Sequence, residues 1–419
     1  MIQAEIINIG DELLIGQVVN TNASWLGEVL SSEGLEVKKI TAIADQREQI
    51  LSTLGAAVET VQVVIITGGL GPTRDDITKD VLCSFFNTSL VFNEDAFRSI
   101  ETFFAARGLP VTTLNRGQAM LPAACQPLPN PNGTAAGMWF EWDGVIVISL
   151  PGVPHEMKPM VMDHVMPRLR AFMHDEVLVH STVLTHGMGE SFLARRIEAW
   201  ELALPGHIKL AYLPSPGIVR LRLTARGPSR EAMLRDIAEA RTNLESLIPE
   251  LIFGYDRDTL ESVAGSWLLA RSAMLGVAES CTGGYLAHLM TSVPGSSRYF
   301  AGGVVAYDNA IKVNQLGVDP ALISMHGAVS REVVEAMAEG VRDLLQTHYA
   351  LATSGIAGPD GGTADKPVGS IWIAVTGPHG TFSKHFQFGH ARERNIRLAS
   401  LSALNMLRTY DAMDGIRER

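Results

Sequence analysis

Residues 63–78 read VVIITGGLGPTRDDIT. The first five, Val63–Thr67, are all β-branched, which is typical of a buried strand, and the run stops at two glycines. Earlier in the chain, residues 4–9 and 37–42 are also strand-like. The segments between these runs have the apolar spacing of helices. Alternation of this kind predicts an α/β domain with three layers, in which helices cover both faces of a parallel sheet.

The loop that follows this strand has the composition of a phosphate site. Gly68, Gly69 and Gly71 allow backbone N–H groups to approach a phosphate closely, and Thr73 can add a hydroxyl. Ligands of such sheets bind beyond the carboxyl ends of the strands, where this loop lies. We therefore predict a phosphate-binding loop here.

Two carboxylates in the same loop, Asp75 and Asp76, would repel a bare phosphate. A bridging divalent cation resolves this conflict, and Asp11 and Glu12 after the first strand could complete an oxygen-rich site. The alternative is a glycine turn followed by helix-capping aspartates. We predict a metal at Asp75, Asp76 and Asp11, of unspecified identity.

The length, the net charge and the cysteine count restrict the class of protein. A chain of 419 residues suggests two or three domains, and a net charge of −11 argues against a nucleic-acid partner. The three cysteines are far apart, which excludes a disulfide framework and a CxxC zinc site. No basic segment of a signal peptide and no apolar run of membrane-spanning length occurs. We expect a cytoplasmic protein without a membrane partner.

Residues 171–255 change in character and predict a small α+β domain in the order β-α-β-β-α. We interpret it as a connector. A homodimer is expected because so small a unit gains from further burial.

The third region, 256–419, is again α/β, and residues 295–312 read GSSRYFAGGVVAYDNAIK. We predict a tight turn, a buried strand over 302–307, and Lys312 one turn into a helix opened by Asp308. A serine whose proton passes to a desolvated lysine is a nucleophile that needs no histidine. Cys281 is a second candidate, with small-residue packing as its structural alternative.

Two further loops of this region, ESCTGG (279–284) and SGIAGPDGG (354–362), are glycine-rich and follow strand-like runs. Arg392, at a predicted helix start, supplies a guanidinium suited to phosphate. Together these features favour a mononucleotide pocket.

The motifs GDELL, NTN, TGGLGPTRDD, NGTAAG and LPGVPHEM resemble the CinA family (competence/damage-inducible protein A), whose N-terminal domain is similar to the molybdenum-cofactor-biosynthesis domain. The resemblance implies metal-dependent hydrolysis of ADP-ribose, with the loop residues named above at the phosphate and metal site. Ala136 stands where family chains often have proline, so the rigid backbone φ that proline imposes is lost at this position.

The motifs ESCTGG, PGSSRYFAGGVVAYDNAIK and SGIAGPDGG resemble the CinA C-terminal domain, a nicotinamide mononucleotide deamidase that needs no cofactor. The resemblance implies that Ser297 attacks the carboxamide, Lys312 takes its proton and Tyr307 hydrogen-bonds one of them. Spacing does not separate Ser297 from Ser296. Substrate contacts are expected from Ser280, Thr282, Gly283, Ser296, Gly355, Ala357, Gly358 and Arg392.

These resemblances divide the chain into residues 1–170 (molybdopterin-binding-like), 171–255 (KH-like connector) and 256–419 (CinA deamidase). They imply a bifunctional enzyme of pyridine-nucleotide recycling. One alternative is a binding or scaffold protein linked to DNA uptake. Another keeps the N-terminal domain as a pterin-binding remnant without hydrolysis.

Overall fold

The computed structural model describes residues 2–73, 75–172 and 177–412. Internal contacts group the chain into two units, Met1–His180 with Ala225–Asp236 and Ser181–Thr224 with Ile237–Arg419. The boundaries at 170/171 and 255/256 stay a prediction. No helix in the described ranges is long and apolar enough to cross a membrane.

Strands and helices alternate in the amino-terminal region, as predicted. The strands are β1 (Gln3–Ile9), β2 (Glu36–Ile43), β3 (Val63–Thr67), β4 (Leu90–Phe92), β5 (Met120–Pro122), β6 (Gln126–Leu128), β7 (Gly137–Trp142) and β8 (Val145–Leu150). The helices are α1 (Asp11–Leu14), α2 (Thr21–Ser32), α3 (Arg47–Val58), α4 (Thr78–Phe85), α5 (Glu94–Ala105), α6 (Thr113–Gly117), α7 (Pro154–Met160) and α8 (Met166–Phe172), with a π-helical turn Val161–Val165 between the last two.

The main sheet of this region has the order β2-β1-β3-β8-β7-β6. Its first four strands are parallel, and β7 and β6 run antiparallel at one edge. Ile6 of β1 packs with α2 on one face, and Ile7 packs with α3 on the other, so the sheet is the middle of three layers. The predicted α/β class is confirmed.

The middle region is a four-stranded sheet with two helices. Its elements are β9 (Val177–His186), α9 (Glu190–Leu202), β10 (Ile208–Ser215), β11 (Ile218–Gly227), α10 (Arg230–Leu247) and β12 (Ile252–Tyr255). The sheet order is β10-β11-β9-β12. The predicted α+β order is found, with β12 added.

The carboxy-terminal region is a second three-layer domain. Its strands are β13 (Leu275–Glu279), β14 (Phe300–Val305), β15 (Tyr349–Gly355), β16 (Ser370–Gly377) and β17 (Gly380–Gln387). Its helices are α11 (Leu260–Ala270), α12 (Tyr285–Thr291), α13 (Asn309–Leu316), α14 (Pro320–His326), α15 (Arg331–Leu345) and α16 (Arg392–Arg408), with a 3₁₀ turn Ser296–Arg298. The sheet order is β14-β13-β15-β16-β17, and only β14, β13 and β15 are parallel.

The strand predicted over 302–307 differs from the expectation. It starts earlier, at Phe300, ends at Val305 and forms the edge of the sheet. Alternate residues along it are therefore exposed rather than buried, and Tyr307 beyond its end is 61% exposed. The helix that follows begins as predicted, because the Asp308 side chain accepts a hydrogen bond from the Ala310 N–H at 2.7 Å.

Candidate active sites

A cavity of about 230 Å³, here called the C-terminal cavity, opens at the carboxyl ends of β13, β14 and β15. This is the end of a parallel sheet where ligands bind. Six predicted residues line it: Ser280, Tyr307, Lys312, Gly355, Ala357 and Arg392. The lining also includes Cys281, Asn309, Ala328, Val329 and Ser354.

Lys312 is the unusual residue of this cavity, because its side chain is only 1% exposed. Its Nζ donates hydrogen bonds to the carbonyl oxygens of Ala306 at 2.8 Å and Tyr307 at 3.2 Å. Burial lowers the pKa of Lys312 below its ordinary value, and the nearby Asp308 opposes this only in part. A neutral amine has two N–H bonds, so both can serve these carbonyls while the lone pair stays available.

Ser280 reaches the same cavity because β13 ends one residue before it. The Glu279 carboxylate accepts three backbone N–H groups, from Gly284, Leu286 and Ala287, and so fixes the loop that carries Ser280. The Ser280 N–H donates to the Thr353 carbonyl on β15 at 2.9 Å. These bonds hold the hydroxyl-bearing residue at the end of the sheet where Lys312 lies.

The environments of Cys281 and Thr282, the next two residues, favour structural roles for both. Burial raises the pKa of the Cys281 thiol to about 12, so the nucleophilic thiolate is scarce at neutral pH. Thr282 is 2% exposed and its hydroxyl pairs with that of Thr353 at 2.7 Å. Thr282 and Gly283 are not part of the cavity lining found among the described residues.

Ser296 and Ser297 lie at the opposite end of β14 from Lys312, which corrects the predicted pairing. They form the 3₁₀ turn before β14, and β14 runs parallel to β13 with Phe300 beside Leu275. The strand has six residues, so at about 3.3 Å per residue its ends are about 20 Å apart. Within one chain, neither serine can exchange a proton with Lys312.

Arg392 is held at the rim of the C-terminal cavity by two hydrogen bonds. One guanidinium nitrogen donates to the Gly358 carbonyl at 2.8 Å, and the other to the Tyr307 hydroxyl at 3.1 Å. The fully buried Asn395 donates to the Ala357 carbonyl at 2.9 Å and so anchors the same loop to α16. Gly358 therefore positions Arg392 rather than lining the cavity.

The amino-terminal region has a larger cavity of about 540 Å³, here called the N-terminal cavity, at the carboxyl ends of β1 and β3. Its lining includes the predicted Gly68, Gly69, Gly71, Asp75 and Asp76 together with Glu12, Asp45, Gln118 and Glu156. An adjoining cavity of about 400 Å³ shares Gly71, Pro72, Asp76 and Gln118 with it and contains Thr73, Lys79, Leu90, Leu114 and Met120.

Asp76 and Gly68 shape the glycine-rich loop. The Asp76 carboxylate accepts the N–H groups of Gly71 at 2.8 Å and Thr73 at 2.9 Å, and also the Thr73 hydroxyl. Gly68 has φ +109°, and a Cβ there would lie 2.1 Å from the Ile9 carbonyl oxygen. Asp76 and Thr73 are thus engaged in loop structure, and Gly68 is required for the close approach of β1.

Carboxylates collect at the edge of the N-terminal cavity around Asp45, which the sequence analysis missed. Partial burial is the main reason that the pKa of Asp45 lies above its usual value. Three neighbouring carboxylates raise this pKa further: Asp11, Glu12 and Asp75. The backbone N–H of Asp11 donates to Asp45 at 3.2 Å. The available signal was the position of Asp45 just beyond the end of β2.

The carboxylates found here show which kind of divalent-cation site fits the N-terminal cavity. In the described part of the chain, no group of three or more His, Cys, Asp or Glu residues is arranged to hold a metal ion. A resident ion in a protein-only cage therefore does not fit. A magnesium-like ion held by one or two carboxylates and by substrate phosphates does fit, because such ions keep several waters.

Comparisons with known proteins cover nearly the whole chain. Residues 5–171 match the probable molybdopterin binding domain, 180–254 the damage-inducible protein CinA KH domain, and 257–410 the CinA C-terminal domain.

Individual relatives agree with these matches. A CinA-like protein of Cytophaga hutchinsonii is 44% identical over 407 residues, 97% of each chain. A putative competence-damage inducible protein of Moorella thermoacetica is 42% identical, over 89% of this chain and 90% of its own. A solved structure of competence/damage inducible protein CihA from Agrobacterium tumefaciens is 34% identical, covers 36% of this chain and 93% of its own, and has a TM-score of 0.36. The chain belongs to the CinA family.

Proposed function

We propose that the C-terminal domain hydrolyses the carboxamide of nicotinamide mononucleotide, with Ser280 as nucleophile and Lys312 as general base. The observation that carries this proposal is the buried Lys312, whose two carbonyl partners leave a lone pair available when the amine is neutral. We assign the nucleophile to Ser280 and not to Ser297, because Ser280 lines the same cavity as Lys312.

The reaction has two halves. The Ser280 hydroxyl attacks the carboxamide carbon and its proton passes to Lys312. The Lys312 ammonium then protonates the departing amine, the C–N bond breaks, and ammonia leaves an ester on Ser280. Water attacks this ester with Lys312 again as base, which releases the carboxylate and restores Ser280.

Arg392 and Tyr307 suit the other end of the substrate. The Arg392 guanidinium stands at the rim with its plane fixed by Gly358 and Tyr307. A fixed guanidinium is well suited to bind a phosphate group. We assign to it the 5′-phosphate, so that the nicotinamide ring lies deeper, toward Ser280.

Ammonia release from nicotinamide mononucleotide by the purified full-length protein tests this proposal. Ser280→Ala should lower kcat by about 10⁴-fold or more, whereas Ser297→Ala and Cys281→Ala should stay within a few-fold of the wild type. Loss of activity in Ser297→Ala with Ser280→Ala active would reject the assignment. An absence of ammonia release would favour the binding or scaffold alternative.

We also propose that the N-terminal cavity hydrolyses the pyrophosphate bond of ADP-ribose to AMP and ribose 5-phosphate. The glycine-rich loop beside the carboxylates around Asp45 supports this, because a diphosphate on the loop can bring a divalent cation to those carboxylates. The cation would offset phosphate charge, with Asp45 and Asp75 as its carboxylate contacts. Product analysis with and without added magnesium tests it, and binding of a pterin without hydrolysis of ADP-ribose would favour the remnant alternative.

A further inference from the structure

Gln118 lines both the N-terminal cavity and the adjoining cavity. Its side chain is 3% exposed, yet neither its Oε1 nor its Nε2 has a hydrogen-bond partner among the described residues. A buried amide without partners is destabilising, and native proteins rarely leave both of its atoms unsatisfied. A ligand that offers a donor and an acceptor side by side would explain this arrangement.

The backbone at Gln118 is held by two hydrogen bonds. The Lys79 ammonium donates to the Gln118 carbonyl at 3.0 Å, and the Gln118 N–H donates to the Asn115 carbonyl at 3.1 Å. This places an unsatisfied amide directly beside the glycine-rich loop, since Gly71 and Pro72 line the same two cavities.

The adjoining cavity has the character of a site for a flat, partly apolar group. Leu90, Leu114 and Met120 supply apolar surface on its walls. A purine base needs apolar faces for its ring and a polar partner for its edge. The adenine edge places a ring nitrogen acceptor next to an amino donor, which a glutamine amide matches with two hydrogen bonds.

We propose that the Gln118 amide pairs with the adenine edge of ADP-ribose, with the base in the adjoining cavity and the diphosphate across the loop at Gly71. This inference rests on the proposed hydrolysis of ADP-ribose and specifies which half of the substrate occupies which cavity. The ribose 5-phosphate half then lies in the N-terminal cavity, beside the carboxylates around Asp45.

Calorimetric titration of the full-length protein with AMP and, separately, with ribose 5-phosphate tests the assignment. Gln118→Leu should weaken AMP binding by about 10- to 100-fold and leave ribose 5-phosphate binding unchanged. An AMP Kd within about twofold of the wild type would overturn the proposal, as would a loss confined to ribose 5-phosphate. An unchanged Kd for AMP would mean that water satisfies the Gln118 amide. A loss confined to ribose 5-phosphate would mean that the amide contacts the ribose 5-phosphate half of the substrate instead.

A nucleotide without the 6-amino group separates a base contact from a change in folding. Wild-type protein should bind the 6-unsubstituted purine ribonucleotide more weakly than AMP, whereas Gln118→Leu should bind the two alike. Gln118→Glu keeps the side-chain shape but removes the N–H donor, so it should also weaken AMP. Equal discrimination by the wild type and both variants would overturn the proposal.

The binding readout keeps this inference distinct from the hydrolytic function. If the protein does not hydrolyse ADP-ribose but Gln118→Leu selectively weakens AMP, the function fails and the adenine contact stands. If the protein hydrolyses ADP-ribose and Gln118→Leu leaves its KM and the AMP Kd unchanged, the function stands and the adenine contact fails.

Discussion

The C-terminal and N-terminal cavities occupy the same place in their sheets but contain opposite types of ionisable group, basic in the first and acidic in the second. Both lie beyond the carboxyl ends of parallel strands and beside glycine-rich loops. The first buries a lysine, Lys312, on two backbone carbonyls. The second collects carboxylates around Asp45.

The difference between the cavities suits the two kinds of hydrolysis that we propose. Burial lowers the pKa of Lys312 and so favours a neutral base, which amide hydrolysis through a serine requires. A group of carboxylates instead attracts a cation, which the hydrolysis of a charged diphosphate requires. Each of the following changes alters one side of this contrast.

The largest effect among these changes is expected from Lys312→Arg, which keeps the positive charge but cannot act as a base, because arginine does not lose its proton. We expect a loss of about 10³- to 10⁴-fold in deamidation. Wild-type kcat should rise with pH through a lysine pKa below 10.5 and then level off, because the neutral amine is the active form.

Ammonia release measured from pH 6 to 10 (about the range in which the lowered pKa would be seen) checks this prediction. Lys366→Arg is the matched control, since the Lys366 ammonium also donates to a backbone carbonyl, that of His326, outside the cavity lining. If Lys312→Arg keeps most of its deamidase activity, Lys312 acts as a fixed charge and not as a base. The contrast between the two cavities would then not hold.

The next effect concerns the carboxylates. Asp75→Asn should slow ADP-ribose hydrolysis by about 10²-fold at limiting magnesium, because one contact to the cation is weakened, and should leave deamidation unchanged. The exposed Asp143, in the turn between β7 and β8, gives the control Asp143→Asn. Rates of AMP formation over a magnesium titration decide the matter, and equal rates for both variants would remove Asp75 from the site.

The last expected effect is on stability rather than on a reaction rate, and it concerns Lys79, a cation of the amino-terminal region. Burial lowers the pKa of Lys79 from 10.5 to about 8. Between these values the unfolded chain holds a proton that the folded chain has lost, so the folded state gains stability as pH rises. Compared with Lys79→Met, the wild type should gain about 3 kcal/mol of unfolding free energy between about pH 8 and 10.5.

Urea unfolding of both proteins at several pH values measures this gain. Parallel pH dependences would show that Lys79 is not desolvated in the folded state. The hydrogen bond to the Gln118 carbonyl would then have to be water-exposed.

Short-range patterns were sufficient for much of the fold and for part of each site. The β-branched run Val63–Thr67 formed a strand with the predicted bounds, and Asp308 capped α13. The three glycine-rich loops follow β3, β13 and β15, and burial of Lys312 was anticipated. These features depend on residues near one another in the chain, whose preferences survive in any arrangement of the elements.

Only the tertiary structure decided which groups meet. The direction of β14 carries Ser297 away from Lys312, while the end of β13 brings Ser280 to it. Asp45 and Gln118 became candidate site residues because strand order and loop packing bring distant segments to one edge of a sheet. Sequence periodicity records which face a residue uses, but the strand ends that share an edge depend on sheet order, a long-range property.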